Sequence, residues 1–149
     1  MNGKRTGFTF FETIIVLGIT ALILTVTIPS FTRSRQVMAE ERFWRLFRRE
    51  WRQAQLRAEV SQQLTVIRYN KVGETMYFRW SDGCNEIVIP ATLRVRSFSE
   101  VVISPTGYTR ARTQVFQSAI NHHLFLMKIQ LAWGGYRVEE KDAGSIYDG

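Results

Sequence analysis

The chain begins with a short polar segment, Met1 to Gly7, that contains Lys4 and Arg5, and then turns apolar almost without interruption from Phe8 to Ile28. That run, FTFFETIIVLGITALILTVTI, holds 21 residues. At about 1.5 Å of rise per residue it makes ~32 Å of helix, close to the ~30 Å hydrocarbon core of a bilayer. A helix that is apolar on every face does not suit the core of a small soluble domain, so the pattern predicts a membrane helix over 8–29. A secretory signal peptide shares the basic start, but its apolar region spans only about 7–15 residues and ends at a small-residue cleavage site. Here the run passes into Pro29-Ser30-Phe31-Thr32-Arg33, which favours a segment that stays in the membrane. Pro29 has no N–H to donate, so it would either kink or end a helix that reached it.

From about Ser30 to Val60 the period changes. Phe43, Phe47, Trp51, Ala54 and Ala58 recur at spacings of three and four, which on a wheel of about 100° per residue places them in one sector. Arg42, Arg45, Arg48, Arg49 and Arg52 fall on the other side. An amphipathic helix over 30–60 is therefore predicted, its apolar stripe against a sheet and its arginines outward, with Glu50 and Glu59 available for pairing along it.

Beyond Val60 apolar positions alternate, the sign of strands. Candidates are Thr65 to Tyr69, Met76 to Trp80, Glu86 to Ile89, Leu93 to Phe98, Val101 to Ser104, Thr113 to Gln117, Leu124 to Leu131 and Tyr136 to Glu140. Asn70 to Gly73, Ser81-Asp82-Gly83, Ser104 to Gly107 and Asn121-His122-His123 supply the breaks. The expected fold class is α+β: a long N-terminal helix, half membrane and half amphipathic, packed on one small antiparallel meander spanning 61–149.

Glu12 is the exception inside the apolar run. A charged residue at a helix centre costs about 2.5–3.5 kcal/mol on insertion scales, less off-centre, and usually marks function and a partner. With its basic start ending in Gly7, Phe8 next, Glu12 close behind and an apolar helix reaching Pro29, the segment resembles the type IV pilin and pseudopilin family. The resemblance implies that 1–7 is a leader, that a prepilin peptidase cuts between Gly7 and Phe8, and that the new Phe8 nitrogen is methylated. It implies also that Glu12 pairs with the N-terminal amine of a neighbouring subunit during assembly, which would offset the cost of a carboxylate in lipid. Gln130-Leu131-Ala132-Trp133-Gly134-Gly135-Tyr136-Arg137-Val138 in addition resembles the closing segment of the competence minor pseudopilins. The partners implied are other major and minor pseudopilins, the prepilin peptidase, an assembly ATPase, a polytopic membrane platform protein and membrane lipid, with DNA met directly or indirectly. The implied location is the cell membrane as a single-pass protein with its C-terminal domain outside, then a surface pseudopilus. Arg33, Arg35 and the arginines that follow oppose that orientation if the positive-inside rule is read alone.

Charge and chemistry narrow the picture further. Lys and Arg number 20 against 13 Asp and Glu, for a formal charge of +7, which suits nucleic acid, anionic lipid or an acidic partner without choosing among them. Cys84 is the only cysteine, so no intrachain disulfide forms. It falls in a turn-like stretch and is expected to be a small packed side chain. No P-loop, HExxH helix, GxSxG elbow or dinucleotide fingerprint is present, so neither catalytic residues nor a cofactor are expected. His122 and His123, read on a strand, would point to opposite faces, and no metal site is expected from them. Three functions stay open: a minor subunit of a DNA-uptake pseudopilus, a pseudopilin of a type II-like protein-secretion system, and a membrane-anchored DNA receptor. In the last, the arginine face would meet phosphates and Trp44 and Trp51 would stack on bases.

Overall fold

The computed structural model describes residues 9–130 and 135–142, and of 26–30 only the backbone. The leader, Gly7 and Phe8 therefore lie outside the described residues, as do Leu131 to Gly134 of the closing segment. The described chain is α+β, with one helix, α1 (Phe10–Ser61), followed by eight strands. It divides into two units between Arg35 and Gln36.

In the first unit α1 opens with Thr9, whose Oγ1 accepts from the Glu12 N–H at 3.4 Å, the arrangement of an N-cap. Every described side chain from Phe10 to Thr25 is exposed. Among them Phe10 is 83%, Leu17 65% and Leu22 68% exposed, values that leave no buried face. The threonine hydroxyls turn back onto the helix: Thr13 donates to the Thr9 carbonyl at 3.3 Å, Thr20 to Val16 at 2.7 Å and Thr25 to Ala21 at 2.8 Å. Helical backbone continues through Pro29, so the proline does not end the helix. Among the described residues, no helix is long and apolar enough to cross a membrane. The described side chains 10–25 cover only ~24 Å of rise; Phe8 and the Val26, Thr27 and Ile28 side chains lie outside them.

The second unit is built on the rest of α1. Phe43, Phe47, Trp51, Ala54 and Ala58 are all buried, as their spacing predicts. Gln62, at φ 51°, and a hydrogen bond from the Gln63 N–H to the Arg57 carbonyl close the helix, a left-handed cap of the kind that satisfies terminal carbonyls. The strands are β1 (Thr65–Asn70), β2 (Thr75–Trp80), β3 (Gly83–Val88), β4 (Leu93–Ser97), β5 (Val101–Ile103), β6 (Arg112–Ser118), β7 (Leu124–Ile129) and β8 (Tyr136–Lys141).

The expected single meander is corrected: there are two antiparallel sheets, ordered β3-β2-β1-β5 and β4-β6-β7-β8. The chain changes sheet between β4 and β5. A register shift at Val95 and Ser97 bends β4 away, a bulge of the kind that ends pairing. The loop that follows is held by buried Gln114, whose side chain accepts from the Ser99 N–H at 2.7 Å and donates to the Ser99 carbonyl at 2.9 Å. That pair reproduces what a neighbouring strand would offer, so the loop leaves no backbone group at Ser99 unsatisfied.

The core joins the α1 stripe to both sheets. Phe47 meets Phe78 of β2 with ring centroids 5.5 Å apart and Tyr136 of β8 at 5.8 Å, while Phe43 meets Phe116 of β6 at 6.3 Å. Two expectations around Cys84 are also corrected. Gly83, Cys84 and Asn85 begin β3 rather than closing a turn, and Cys84 is exposed rather than packed. The break expected at Asn121-His122-His123 is the turn between β6 and β7, with His122 at φ 60°.

Candidate functional site

The residues singled out by sequence fall in different units. Glu12 stands in the first turn of α1, exposed, where a carboxylate also favours the positive end of the helix dipole. Its location has that local explanation as well as the one implied by the resemblance. Gly7 and Phe8 lie outside the described residues, and at Pro29 the backbone alone is described.

In the second unit all five arginines, Arg42, Arg45, Arg48, Arg49 and Arg52, are exposed. They follow from the same period that buries the aromatic stripe, since residues three and four apart share a helix face. Arg45 pairs with Glu41 at 3.4 Å, and Arg49 with Glu50 at 3.2 Å. Arg48 donates from Nε to the Trp44 carbonyl at 3.2 Å. Among the described residues, Arg42, Arg48 and Arg52 form no ion pair.

The acidic residues of this stretch behave differently from the expected surface pairs. Glu40 is buried and its Oε1 accepts from Ser118 Oγ at 3.0 Å, tying α1 to the end of β6. Glu50 is 1% exposed, which places a carboxylate under the arginine row. Near it Arg57 lays its guanidinium over the Trp80 ring, 4.0 Å from the centroid. Burial lowers the Arg57 pKa below the ordinary guanidinium value and the Glu50 charge opposes that shift. Glu50 is thus contacted by Arg49 alone, at Oε1, with Arg57 acting only as a nearby charge, and Glu50 Oε2 has no hydrogen-bond partner among the described residues.

The aromatic residues proposed for base stacking are occupied. Trp51 is 2% exposed. Trp44 is half-buried and meets Phe116 at 5.1 Å and Phe125 at 5.6 Å, both edge-to-face. The stacking role is therefore corrected for Trp51, which is closed off in the core, while Trp44 both packs edge-to-face against the sheet and lines a hollow beside Arg45 and Arg48.

Two features were not legible in the sequence. Tyr136 and Arg137 of β8 come to lie beside Arg48 and Arg52 of α1, lining one hollow of about 510 Å³. Burial raises the Tyr136 hydroxyl to about 12, against the opposing charges of Arg48 and Arg52, so it stays protonated and can donate. His123 faces Glu140 through Nδ1 and Asp142 through Nε2, the latter at 3.3 Å. Its carboxylates sit at opposite ring nitrogens and do not converge on one point. Among the described residues, no group of His, Cys, Asp and Glu is arranged to hold a metal ion.

Compared with family models, with curated proteins and with solved structures, the chain has no match in any of the three.

Proposed function

We propose that this chain is a minor pilin-like structural subunit of a DNA-uptake pseudopilus, cut by a prepilin peptidase between Gly7 and Phe8 and assembled through its N-terminal helix. The observation that carries the reading is the first unit of α1. Its described side chains are apolar on every face and all exposed. Removing such a surface from water is favourable by about 25 cal/mol per Å², so it suits lipid or helices of the same kind. The threonines support this environment, because each hydroxyl turned back onto a carbonyl is a polar group already satisfied without water. Glu12 is then the one group in the run that still needs a partner, and the free amine at Phe8 of an adjacent subunit is the partner the family resemblance supplies. The second unit, an amphipathic helical stretch carrying two small antiparallel sheets, would be the domain displayed outside the membrane.

Filament shearing tests the reading. Glu12→Ala is expected to be made and cut like the unaltered chain, yet to be depleted at least about tenfold from sheared surface filaments and retained in the membrane fraction. Incorporation equal to that of the unaltered chain would remove Glu12 from assembly and with it the main reason for the filament reading.

A further inference from the structure

The arginines of α1 border a continuous groove. Arg48 and Arg52 share with Arg137 the hollow of about 510 Å³ beside β8. A second hollow, of about 430 Å³, extends past Arg48 to Arg45, Trp44 and Phe125. A third, of about 500 Å³, lies across the helix between Arg45, Arg49 and Arg52. Arg48 lines all three.

The charged chemistry of this groove is almost entirely cationic, with Gln53 and Gln55 as the neutral polar residues of α1 along it. Guanidinium and indole groups donate and do not accept. Trp44 Nε1 and Tyr136 Oη are both buried without a hydrogen-bond partner among the described residues. Arg42, Arg48, Arg52 and Arg137 form no ion pair among the described residues. The single carboxylate on the rim, Glu41, already pairs with Arg45. A surface of this composition is complementary to a ligand that only accepts, which is to say an anion.

Its length says which anion. From Arg45 to Arg52, the arginines of α1 that line the groove, the row climbs ~10 Å along the helix, too far for one carboxylate or phosphate and matched to successive phosphates at ~3.4 Å per strand. A membrane surface fits less well. A helix that lies on lipid needs an apolar face to insert, and here Phe43, Phe47, Trp51 and Ala54 spend that face on the core. We propose that the α1–β8 groove holds the sugar–phosphate backbone of a nucleic acid and does not read its bases. Contacts from guanidinium groups to phosphates position the duplex and carry no sequence information.

The proposal rests on the arginine geometry. It deepens the DNA-uptake reading by naming where this chain meets DNA, while its test is indifferent to processing and assembly. The full chain in neutral-lipid nanodiscs is titrated against short labelled duplexes of two unrelated sequences between about 50 and about 200 mM NaCl. Both duplexes are expected to bind alike, with a log–log salt slope near −2.7, from about 0.9 for each phosphate met by Arg48, Arg52 and Arg137. Arg48→Glu with Arg52→Glu should weaken binding more than about tenfold and take about 2 off the slope. Arg110→Glu with Arg112→Glu, which changes the net charge equally on exposed sites elsewhere, should leave both close to the unaltered values. The proposal is overturned by no binding at the lowest salt, by equal loss in the two double variants, by a strong preference for one duplex, or by phosphatidylserine vesicles competing better than DNA. Failure on any of these counts leaves Gly7–Phe8 processing untouched, so the two readings fall separately.

Discussion

His123 shows how a single side chain can link distant parts of the second unit. It follows the left-handed residue His122 in the β6–β7 turn, and its ring reaches Glu140 and Asp142 at the far end of the chain. The Glu140 hydrogen bond, with the charges of Asp142 and Glu140, raises its pKa above the ordinary histidine value, against a smaller desolvation effect. A histidine raised on folding contributes stability that is complete below its unfolded pKa of about 6.5 and is lost as pH rises through the folded value. The urea midpoint of the full chain is therefore expected to fall as pH is raised from about 6 toward about 8, and His123→Gln should flatten that slope. A slope unchanged in His123→Gln would assign it to other groups. The pairing was hidden because His123 lies in the β6–β7 turn and Glu140 on β8: a sequence shows which residues are neighbours along the chain, not which turns and strand ends come together. The same applies to Tyr136 and Arg137 beside the arginines of α1. The exposure of Arg42 to Arg52 was legible, since a helical period fixes which side faces out, but their partners across the groove were not.

At the scale of elements, periodicity was the dependable signal. The spacing of Phe43, Phe47, Trp51, Ala54 and Ala58 marked the buried stripe, and the alternation after Val60 marked all eight strands. What alternation does not encode is the neighbour. A strand buried on one face reads alike in either sheet, so the transfer of the chain between β4 and β5 became visible only with the register shift at Val95 and the Gln114 bridge to Ser99. Polar residues on the buried side were obscured for a related reason: Glu40 is met inside by Ser118 and Glu50 by Arg49, contacts that the sequence pattern does not show. The stripe has a quantitative consequence. Phe47 is fully buried between both sheets, so Phe47→Ala should lower unfolding free energy by about 3–5 kcal/mol. Leu56, 51% exposed on the same helix, should cost within about 0.5 kcal/mol when changed to Ala. Chemical denaturation of the two variants in matched detergent checks the contrast, and equal losses would contradict the packing described here.

On the scale of the whole chain, the two units have opposite characters. The first exposes an apolar helix with one carboxylate; the second buries its apolar stripe and exposes a row of arginines. Of the net charge of +7, residues 1–35 carry +3, from Lys4, Arg5, Arg33 and Arg35 against Glu12, and residues 36–149 carry +4, so cations flank the apolar run on both sides. Central to the account is the claim that the apolar helix is a processed assembly helix, and intact-mass and N-terminal peptide mass spectrometry of the chain from native cells tests it most directly, with and without the prepilin peptidase. The account predicts a mature N-terminus at Phe8, methylated, that depends on the peptidase. Persistence of Met1 to Gly7 in peptidase-competent cells, or cleavage after Ile28, would contradict it and leave an ordinary membrane anchor or a secreted protein.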